Sequence, residues 1–360
     1  MTVLRRMVAG FLLLKLANLT VNLVTFPRLD TSRRRHESEP VSLLVPARNE
    51  AGGLAGALPS LLDQPAAEVL LLDDRSTDGT AELAQRLAGH DQRFRVVPGC
   101  QAPPGWIGKT WACHQLAEAA TGSVLVFVDA DIRLAPGALQ ALAWQRHVQR
   151  ADVFSVFARQ VTGSLGERLI APVIDDVLLC FLPHPLLRAP AASAATASGG
   201  LLAFTRPAYQ RLGGFASVRC ELVEDVAIAR RTRRLGLRLG LALGGDLVST
   251  RMYTGYGDAV TAFARGVHGI YRTLPARRLL LTALGLWHVL AYTLPLLLSR
   301  RPAWAVLCAA GAAERLLVEA KTGRRQWGEA LLMPLTPIAM LPVLARAMRR
   351  RQQWKGRHYG

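Results

Sequence analysis

Asp129 and Asp131 are separated by one alanine and directly follow the apolar run Val124–Val128. Two carboxylates at this spacing, placed at the end of a strand, can reach one hard divalent cation and leave coordination positions for substrate phosphates. Such a cation would offset the negative charge of a departing diphosphate. The D-x-D pattern also occurs often by chance, so its weight depends on the elements around it.

Two earlier apolar runs, residues 41–45 and 68–72, also end in polar clusters. These clusters contain Pro46, Ala47, Arg48, Asn49 and Glu50 after the first run, and Asp73, Asp74, Arg75, Ser76, Thr77 and Asp78 after the second. Because ligands bind at the carboxyl ends of the strands in such sheets, we expect all three clusters to converge at one edge. The alternative is that acidic residues only cap helices and turns, which suits Asp78 but is a weaker explanation for three successive clusters.

The elements that position these residues follow the pattern of an α/β domain. Mostly continuous apolar runs at 41–45, 68–72, 94–97 and 124–128, rich in valine and leucine, predict buried parallel strands, and helical periodicity at 50–62, 80–88 and 110–120 separates them. The first half is thus predicted to be a Rossmann-like nucleotide-binding unit. It has neither a P-loop nor a G-x-G-x-x-G fingerprint, so side chains and turns must hold the nucleotide. Asp73 and Asp74 suit that role, because carboxylates accept hydrogen bonds from ribose hydroxyls and base N–H groups.

Taken in order, segments 46–50, 73–80, 129–131 and 224–225 resemble family 2 inverting glycosyltransferases of the GT-A fold, over about residues 41–253. The resemblance implies a UDP-sugar donor and a divalent metal, Mg²⁺ or Mn²⁺. The resemblance implies that Asp131 is a metal ligand and that Asp129 is the ribose or metal contact. The implied nucleotide-sugar-binding residues are Pro46, Ala47, Glu50, Asp73, Asp74, Lys109, Asp129 and Arg251.

Glu224 and Asp225 precede the helical run 226–235, and the resemblance implies that they are catalytic, with Asp225 as the base. Inverting transfer needs a carboxylate that accepts the proton of the attacking hydroxyl, which agrees with this assignment. The alternative is an acidic pair that complements the helix dipole, and both roles are compatible.

Residues 104–112 are similar to the G-W-x-G-K-x-W-A segment of a membrane subgroup that includes carotenoid glucosyltransferases and hopanoid-associated glycosyltransferases. Lys109, at a helix start, is placed to meet a diphosphate. Trp106 and Trp111 either stack on a sugar or base, or serve as core or membrane-interface anchors. Arg251 stands where processive family members have Gln-x-x-Arg-Trp, and this departure disfavours chain-extending synthesis.

Charge and hydropathy indicate a membrane protein rather than a nucleic-acid reader. Lysine and arginine total 44 against 26 aspartates and glutamates, and 51% of the residues are hydrophobic. Many arginines are clustered beside apolar runs, as juxtamembrane charge is, and no nucleic-acid-binding module is recognisable. The five cysteines lack metal-site or disulfide spacing.

Residues 7–26, 279–298 and 331–347 are candidate spans, and 304–318 is a weaker one, which gives three or four spans in total. Lys15 is unfavourable within the first unless it snorkels or faces another helix. The predicted domains are a membrane anchor at 1–30, a GT-A domain at 41–275, membrane helices at 279–348 and a basic tail at 349–360. Basic flanks on both sides of most spans give no clean orientation.

We therefore expect a multi-pass enzyme of the cell membrane with a cytoplasmic catalytic domain. It would transfer a hexose from a UDP-sugar to the hydroxyl or carboxyl of a hydrophobic lipid, and the subgroup resemblance favours a terpenoid such as a carotenoid. The alternatives are a polyprenyl phosphate, hopanoid or glycolipid acceptor, or an inactive membrane scaffold of the same fold. The sequence predicts no nucleic-acid partner and leaves the oligomeric state open.

Overall fold

The structure, a computed structural model, describes residues 1–32, 39–189, 191–349, 352–354 and 357–359. The chain divides into two compact units. The sheet unit comprises Pro27–Arg159 and Leu187–Thr250, and the helical unit comprises Met1–Phe26, Gln160–Leu186 and Arg251–Gly360.

The strands are β1 (Val41–Ala47), β2 (Glu68–Asp73), β3 (Phe94–Pro98), β4 (Val124–Val128), β5 (Ile132–Leu134), β6 (Val153–Phe157), β7 (Arg159–Gln160), β8 (Leu201–Thr205), β9 (Leu239–Leu243), β10 (Val248–Thr250), β11 (Gln352–Trp354) and β12 (Arg357–Tyr359). The α-helices are α1 (Thr2–Thr25), α2 (Ala51–Leu62), α3 (Thr80–Ala88), α4 (Gly108–Ala119), α5 (Ala138–Val148), α6 (Leu165–Ile170), α7 (Val173–Phe181), α8 (His184–Leu187), α9 (Arg206–Leu212), α10 (Glu224–Arg234), α11 (Tyr256–Tyr271), α12 (Arg277–His288), α13 (Leu294–Leu297), α14 (Pro302–Thr322) and α15 (Thr336–Ala347).

The central sheet of the sheet unit has seven strands in the order β3-β2-β1-β4-β8-β6-β9. The first four run parallel, as the sequence predicts, and place Ala47 beside Asp73 at their carboxyl ends. Strand β8 pairs antiparallel with both β4 and β6, so the sheet as a whole is mixed. A smaller sheet has the order β5-β10-β7.

The core of the sheet unit explains why its strands read as continuous apolar runs. Strands β4 and β9 are buried at every position, and β1 at all but one. The prediction of a buried strand at 94–97 is wrong in this respect: β3 lies at the edge of the sheet and has no buried position. Helix α2 contributes Leu54, Leu58 and Leu61 from one face, and all three side chains are fully buried. Each fully buried leucine stabilises the fold by about 1.5–3 kcal/mol, so this packing keeps the strand ends in place.

The polar turn after β2 ties α2 to α3. The Asp78 carboxylate accepts hydrogen bonds from the Ala51 N–H at 3.0 Å and the Thr80 N–H at 3.1 Å, at the first residues of the two helices. One aspartate therefore satisfies donors at both helix N-termini, which is the capping role that the sequence predicts for it.

Among the described residues, two helices are long and apolar enough to cross a membrane, and both belong to the helical unit: Thr2–Thr25 and Arg277–Leu297. The second consists of α12 and α13 joined by the π-helical segment Val289–Thr293. The predicted span at 331–347 instead forms a 3₁₀ segment, Trp327–Leu332, followed by α15, which has 12 residues. About 20 residues are needed to span a bilayer, so α15 is too short. Pro337 lies in its first turn, a position that favours the start of a helix there.

Lys15 lies within α1 and is buried, with 1% of its surface exposed. Its ammonium donates to Asp176 at 3.0 Å, to the Tyr292 hydroxyl at 2.5 Å and to Glu314 at 2.8 Å. The contacts satisfy all three donors and place carboxylates beside the charge. A lysine that is unfavourable in an isolated span is thus compatible with a packed helix.

The two units differ from the predicted domain ranges. The segment Gln160–Leu186 groups with the helical unit rather than with the sheet. Its buried Ile170 and Ala171 pack with Ala259, Val260 and other apolar side chains of the helical unit, which explains the grouping. Of the predicted basic tail, the structure describes residue 349 and the antiparallel pair β11 and β12.

Candidate active site

The sheet unit brings most of the predicted site residues to the carboxyl ends of β1, β2 and β4. Asp129 follows β4, and its N–H donates to the Gly200 carbonyl at 3.0 Å, just before β8. This contact joins the D-x-D turn to the glycine pair that precedes the antiparallel strand. The antiparallel strand β8 and the glycines before it therefore also border this edge of the sheet, which the sequence predicts from the parallel strands alone.

Lys109 forms the centre of a charge cluster with Asp129 and Glu224. Its ammonium lies 2.8 Å from Asp129 Oδ1, 3.1 Å from Asp129 Oδ2 and 3.0 Å from Glu224 Oε1. The Lys109 side chain is 23% exposed, and the Glu224 side chain is 12% exposed. Lys109 is the second residue of α4 and Glu224 the first of α10, so two helix N-termini converge here.

Asp225 is oriented by two backbone donors. Its Oδ2 accepts the Gly199 N–H at 2.7 Å, and its Oδ1 accepts the Val226 N–H at 2.7 Å. A Cβ at Gly199 would lie 3.2 Å from Asp225 Oδ2, 3.2 Å from Glu224 Oε1 and 3.3 Å from Lys109 Nζ. Glycine at 199 therefore leaves room for the three charged groups, which would have to shift by a few tenths of an ångström to accept a Cβ.

Asp131 is held by a residue that the sequence reasoning missed. The Thr250 hydroxyl, at the end of β10, donates to Asp131 Oδ2 at 2.9 Å, and Thr250 is 2% exposed. Glu50 also acts on Asp131 electrostatically and favours the protonated carboxyl. Because β10 pairs with β5, which follows the D-x-D turn, only the sheet pairing reveals this contact.

Burial and mutual repulsion shift the pKa values of the site carboxyls upward. Burial raises the pKa of Asp129, with Lys109 opposing and Asp131 reinforcing the shift, and burial also raises that of Asp131. Burial, reinforced by Glu224, raises the pKa of Asp225 to about 7. For Lys109, burial disfavours the ammonium, but Asp129 and Glu224 outweigh it and hold the pKa well above its ordinary value. Several carboxyl groups thus lie near the Lys109 ammonium, and a bound cation would favour their ionised forms.

The predicted nucleotide residues lie at the ends of β1 and β2. Asp73 is half-buried, and its carboxylate accepts the Ser76 N–H at 3.3 Å. Asp74 is 5% exposed and pairs with Arg48, at 3.7 Å between Nη1 and Oδ2. Of the two, Asp73 is the more accessible to a nucleotide, whereas Asp74 is engaged within the fold.

Left-handed backbone conformations shape the same turns. Asn49 has φ 52° and Arg75 has φ 55°, values that cost free energy in residues other than glycine. Asn49 donates its N–H to Ser76 Oγ at 2.9 Å and accepts the Thr77 N–H at 2.9 Å, which ties the two turns together. Pro46 and Ala47 complete this edge, and the Ala47 carbonyl accepts the Asp74 N–H at 2.8 Å.

Two other predicted features have partners of their own. Arg251 belongs to the helical unit, where its Nε lies 3.1 Å from Glu167 Oε2.

In the sheet unit, the rings of Trp106 and Trp111 meet edge to face at 4.9 Å, and Trp111 Nε1 donates to the Cys100 carbonyl at 3.0 Å. The Trp111 donor is thus used within the fold.

The residues present fit a hard divalent cation. Asp129 and Asp131 provide only oxygen donors, which Mg²⁺ and Mn²⁺ prefer, and their pKa values are raised chiefly by burial, a cost that a bound cation would offset by favouring the ionised carboxylates. The Thr250 hydroxyl would orient one of these carboxylates as an outer-shell partner. No histidine or cysteine ligand is needed for this donor set.

Comparison with known proteins agrees with the predicted family. Residues 42–174 match the family described as glycosyl transferase family 2. The chain is 34% identical over 106 residues to 4,4'-diaponeurosporenoate glycosyltransferase of Staphylococcus haemolyticus, covering 29% of this chain and 28% of that protein. It is also 34% identical over 99 residues to Glycosyltransferase AglD of Haloferax volcanii, covering 26% of this chain and 15% of that protein. The chain therefore matches less than a third of the length of either relative.

A solved structure extends the likeness in fold to nearly the whole chain. Mannosyltransferase PcManGT from Pyrobaculum calidifontis, in complex with GDP-Man and Mn²⁺, superposes with a TM-score of 0.55 at 20% identity, over 96% of this chain and 97% of that chain. The predicted GT-A fold is confirmed by this similarity.

Proposed function

We propose that the chain transfers a hexose from a UDP-sugar to a hydrophobic lipid. The premise is that residues 42–174 form a family 2 glycosyltransferase domain, and the proposed reaction inverts the configuration at the anomeric carbon. The observation that carries the proposal is the convergence of Asp129, Asp131, Glu224 and Asp225 around Lys109 at the carboxyl edge of the sheet. In such a site, the ammonium can stabilise the negative charge that develops on the departing diphosphate, and a carboxylate can accept the proton of the acceptor.

Asp225 is the proposed general base. Its two backbone hydrogen bonds, from Gly199 and Val226, set the orientation of the carboxylate and leave lone pairs free to accept a proton. A pKa of about 7 suits a base that works near neutral pH. Asp225 takes the proton of the acceptor hydroxyl while the acceptor oxygen forms its bond to the anomeric carbon. The bond from that carbon to the diphosphate oxygen breaks on the opposite face.

Lys109 and the proposed metal residues lie on the leaving-group side of this reaction. Asp129 and Asp131 would hold a Mg²⁺ or Mn²⁺ ion, which supplies electrostatic stabilisation of the diphosphate when bound. Lys109, at the N-terminal end of α4, adds a positive charge where helix N–H groups already favour anions. Asp73 offers a carboxylate for the nucleoside, and Glu50, Pro46 and Ala47 line the same edge.

A membrane location and a terpenoid acceptor are part of the proposal. The two helices Thr2–Thr25 and Arg277–Leu297 have the length and hydropathy of membrane spans. The relative from Staphylococcus haemolyticus is named for a carotenoid-type acceptor, diaponeurosporenoate. A lipid acceptor accounts for the apolar helices, since an enzyme that acts on soluble sugars does not require them. We place the protein in the cell membrane with its catalytic domain in the cytoplasm.

A transfer assay with the full chain tests this function. The purified protein in detergent micelles is incubated with Mn²⁺, radiolabelled UDP-glucose and either a terpenoid carboxylic acid or a terpenoid alcohol, and the labelled lipid is counted. We expect label in the lipid with wild type. With the terpenoid alcohol as acceptor, Asp225→Asn should lower the rate by about 10³-fold, because the base that accepts the hydroxyl proton is removed. Fluorescent UDP should still bind this variant with wild-type affinity.

Asp246→Asn is the matched control, because Asp246 is an aspartate of the sheet unit whose side chain is 51% exposed in a surface ion pair. Its transfer rate should stay within about twofold of wild type, since such pairs contribute little to stability. Undiminished transfer by Asp225→Asn would remove Asp225 from the role of base. The absence of both UDP binding and transfer with any UDP-hexose would overturn the proposed function.

A further inference from the structure

The ammonium of Lys109 engages both oxygens of Asp129, at 2.8 and 3.1 Å, and Glu224 Oε1 at 3.0 Å. Asp129 is one of the two proposed metal residues, so in this structure the lysine holds the carboxylate that a metal ion needs. The lysine is thus held between two acidic side chains that lie on different elements.

A divalent cation and the Lys109 ammonium cannot share Asp129 at these distances without strong repulsion. Both are positive, and charges a few ångströms apart in a partly buried site interact strongly. Binding of a metal ion to Asp129 therefore requires the Lys109 ammonium to move away from this carboxylate. Because lysine carries its charge on a flexible four-carbon stem, the ammonium can move while the helix stays in place.

The diphosphate of the donor offers Lys109 an alternative partner. Lys109 lies in the first turn of α4, where unsatisfied helix N–H groups favour a phosphate. An ammonium that turns from Asp129 to a phosphate oxygen keeps an anionic partner and leaves the carboxylate free.

We infer that Lys109 is an internal counter-ion that occupies Asp129 until the donor diphosphate draws it away, so that Mn²⁺ and nucleotide bind cooperatively. The inference rests on the proposed function, since it needs a nucleoside diphosphate at this site. It makes Lys109 a positioning residue that suppresses metal binding to the free protein. A coupling of this kind typically changes affinity by 5–150-fold.

Titration calorimetry on the full chain in detergent micelles tests the inference with Mn²⁺ alone, UDP alone, and Mn²⁺ in the presence of saturating UDP. With Lys109→Met, we expect Mn²⁺ alone to bind about tenfold more tightly than to wild type. The factor by which UDP improves Mn²⁺ affinity should be about tenfold smaller than in wild type, because only the direct contact of metal and diphosphate remains.

Two variants control for charge and folding. Lys109→Arg keeps a cation between Asp129 and Glu224 and should retain the weak Mn²⁺ binding of the wild type. Arg86→Met removes one positive charge from an exposed position of α3 and should leave Mn²⁺ affinity within twofold of wild type. Circular dichroism of each variant checks that the fold is kept.

Equal Mn²⁺ affinity of wild type and Lys109→Met without UDP would overturn the inference, as would equal enhancement by UDP in both. If the wild type binds UDP but wild type and Lys109→Met bind Mn²⁺ with equal affinity in its absence, only the inference about Lys109 fails. If wild type binds neither UDP nor Mn²⁺, the proposed function fails and the inference fails with it.

Discussion

Gly199 offers a sharp test of the proposed reacting centre, because its backbone lies against three charged side chains. Replacement by alanine adds a Cβ at 3.2 Å from Asp225 Oδ2 and Glu224 Oε1 and at 3.3 Å from Lys109 Nζ. These distances are shorter than ordinary van der Waals contacts, so the charged groups must shift by a few tenths of an ångström. The N–H of residue 199 remains available to Asp225.

The magnitude follows from the sensitivity of catalysis to position. A misplacement of 1 Å costs about 10²-fold in rate, so a shift of about a third of that distance costs about fivefold. A fivefold loss corresponds to about 1 kcal/mol of transition-state stabilisation. We therefore expect Gly199→Ala to lower kcat by about fivefold and to leave the affinity for UDP near that of wild type.

The transfer assay with UDP-glucose and a terpenoid acceptor measures this loss. Gly52→Ala is the control, because Gly52 lies in α2 with no atom within 4 Å of an added Cβ. It should keep full activity and gain about 0.5 kcal/mol of stability from better helix propensity. Wild-type kcat in a folded Gly199→Ala variant would refute the idea that Gly199 lies at the reacting centre.

Three further predictions concern the outer contacts of the site, its pH dependence and the helical unit. Thr250→Val removes the hydrogen bond to Asp131 and should weaken Mn²⁺ binding in the presence of UDP by about tenfold, measured by calorimetry; unchanged affinity would exclude an outer-shell role. Because burial raises the pKa of Asp225 to about 7 and the base must be ionised, kcat/KM should fall about tenfold per pH unit below pH 7 and level off above it. A pH profile that is flat between pH 5.5 and 7 would contradict this assignment. Lys15→Met leaves its two carboxylate partners buried without a cation and should cost about 3–5 kcal/mol, seen as a lower Tm in detergent; an unchanged Tm would show that these contacts do not stabilise the unit.

The sequence by itself determined the parallel half of the sheet and the position of the D-x-D turn. The strand Val124–Val128 and the helix Thr80–Ala88 have the predicted bounds. Both predictions depend on local patterns. A continuous apolar run indicates a strand that is buried on both faces, and a capping residue marks the start of a helix. The clusters at 46–50, 73–78 and 129–131 converge because parallel strands end at one edge.

Only the tertiary structure decided which polar and charged side chains contact one another. Lys109 meets Glu224, Thr250 meets Asp131 and Lys15 meets Glu314, and each pair joins distant segments of the chain. Hydropathy and periodicity report how buried a side chain is, but they carry no information on the partner opposite it. For the same reason, the pairing of Arg251 with Glu167 was not predicted.

The extent of the helical unit also depended on packing. Residues 331–347 read as a span by composition, yet the chain forms a short 3₁₀ segment and a 12-residue helix there. From the sequence alone, Lys15 is unfavourable in a membrane span. In the folded chain it is bound by Asp176, Tyr292 and Glu314. Composition determines that a segment is apolar enough to leave water, whereas its length as a helix and its polar partners depend on the contacts that the folded chain makes.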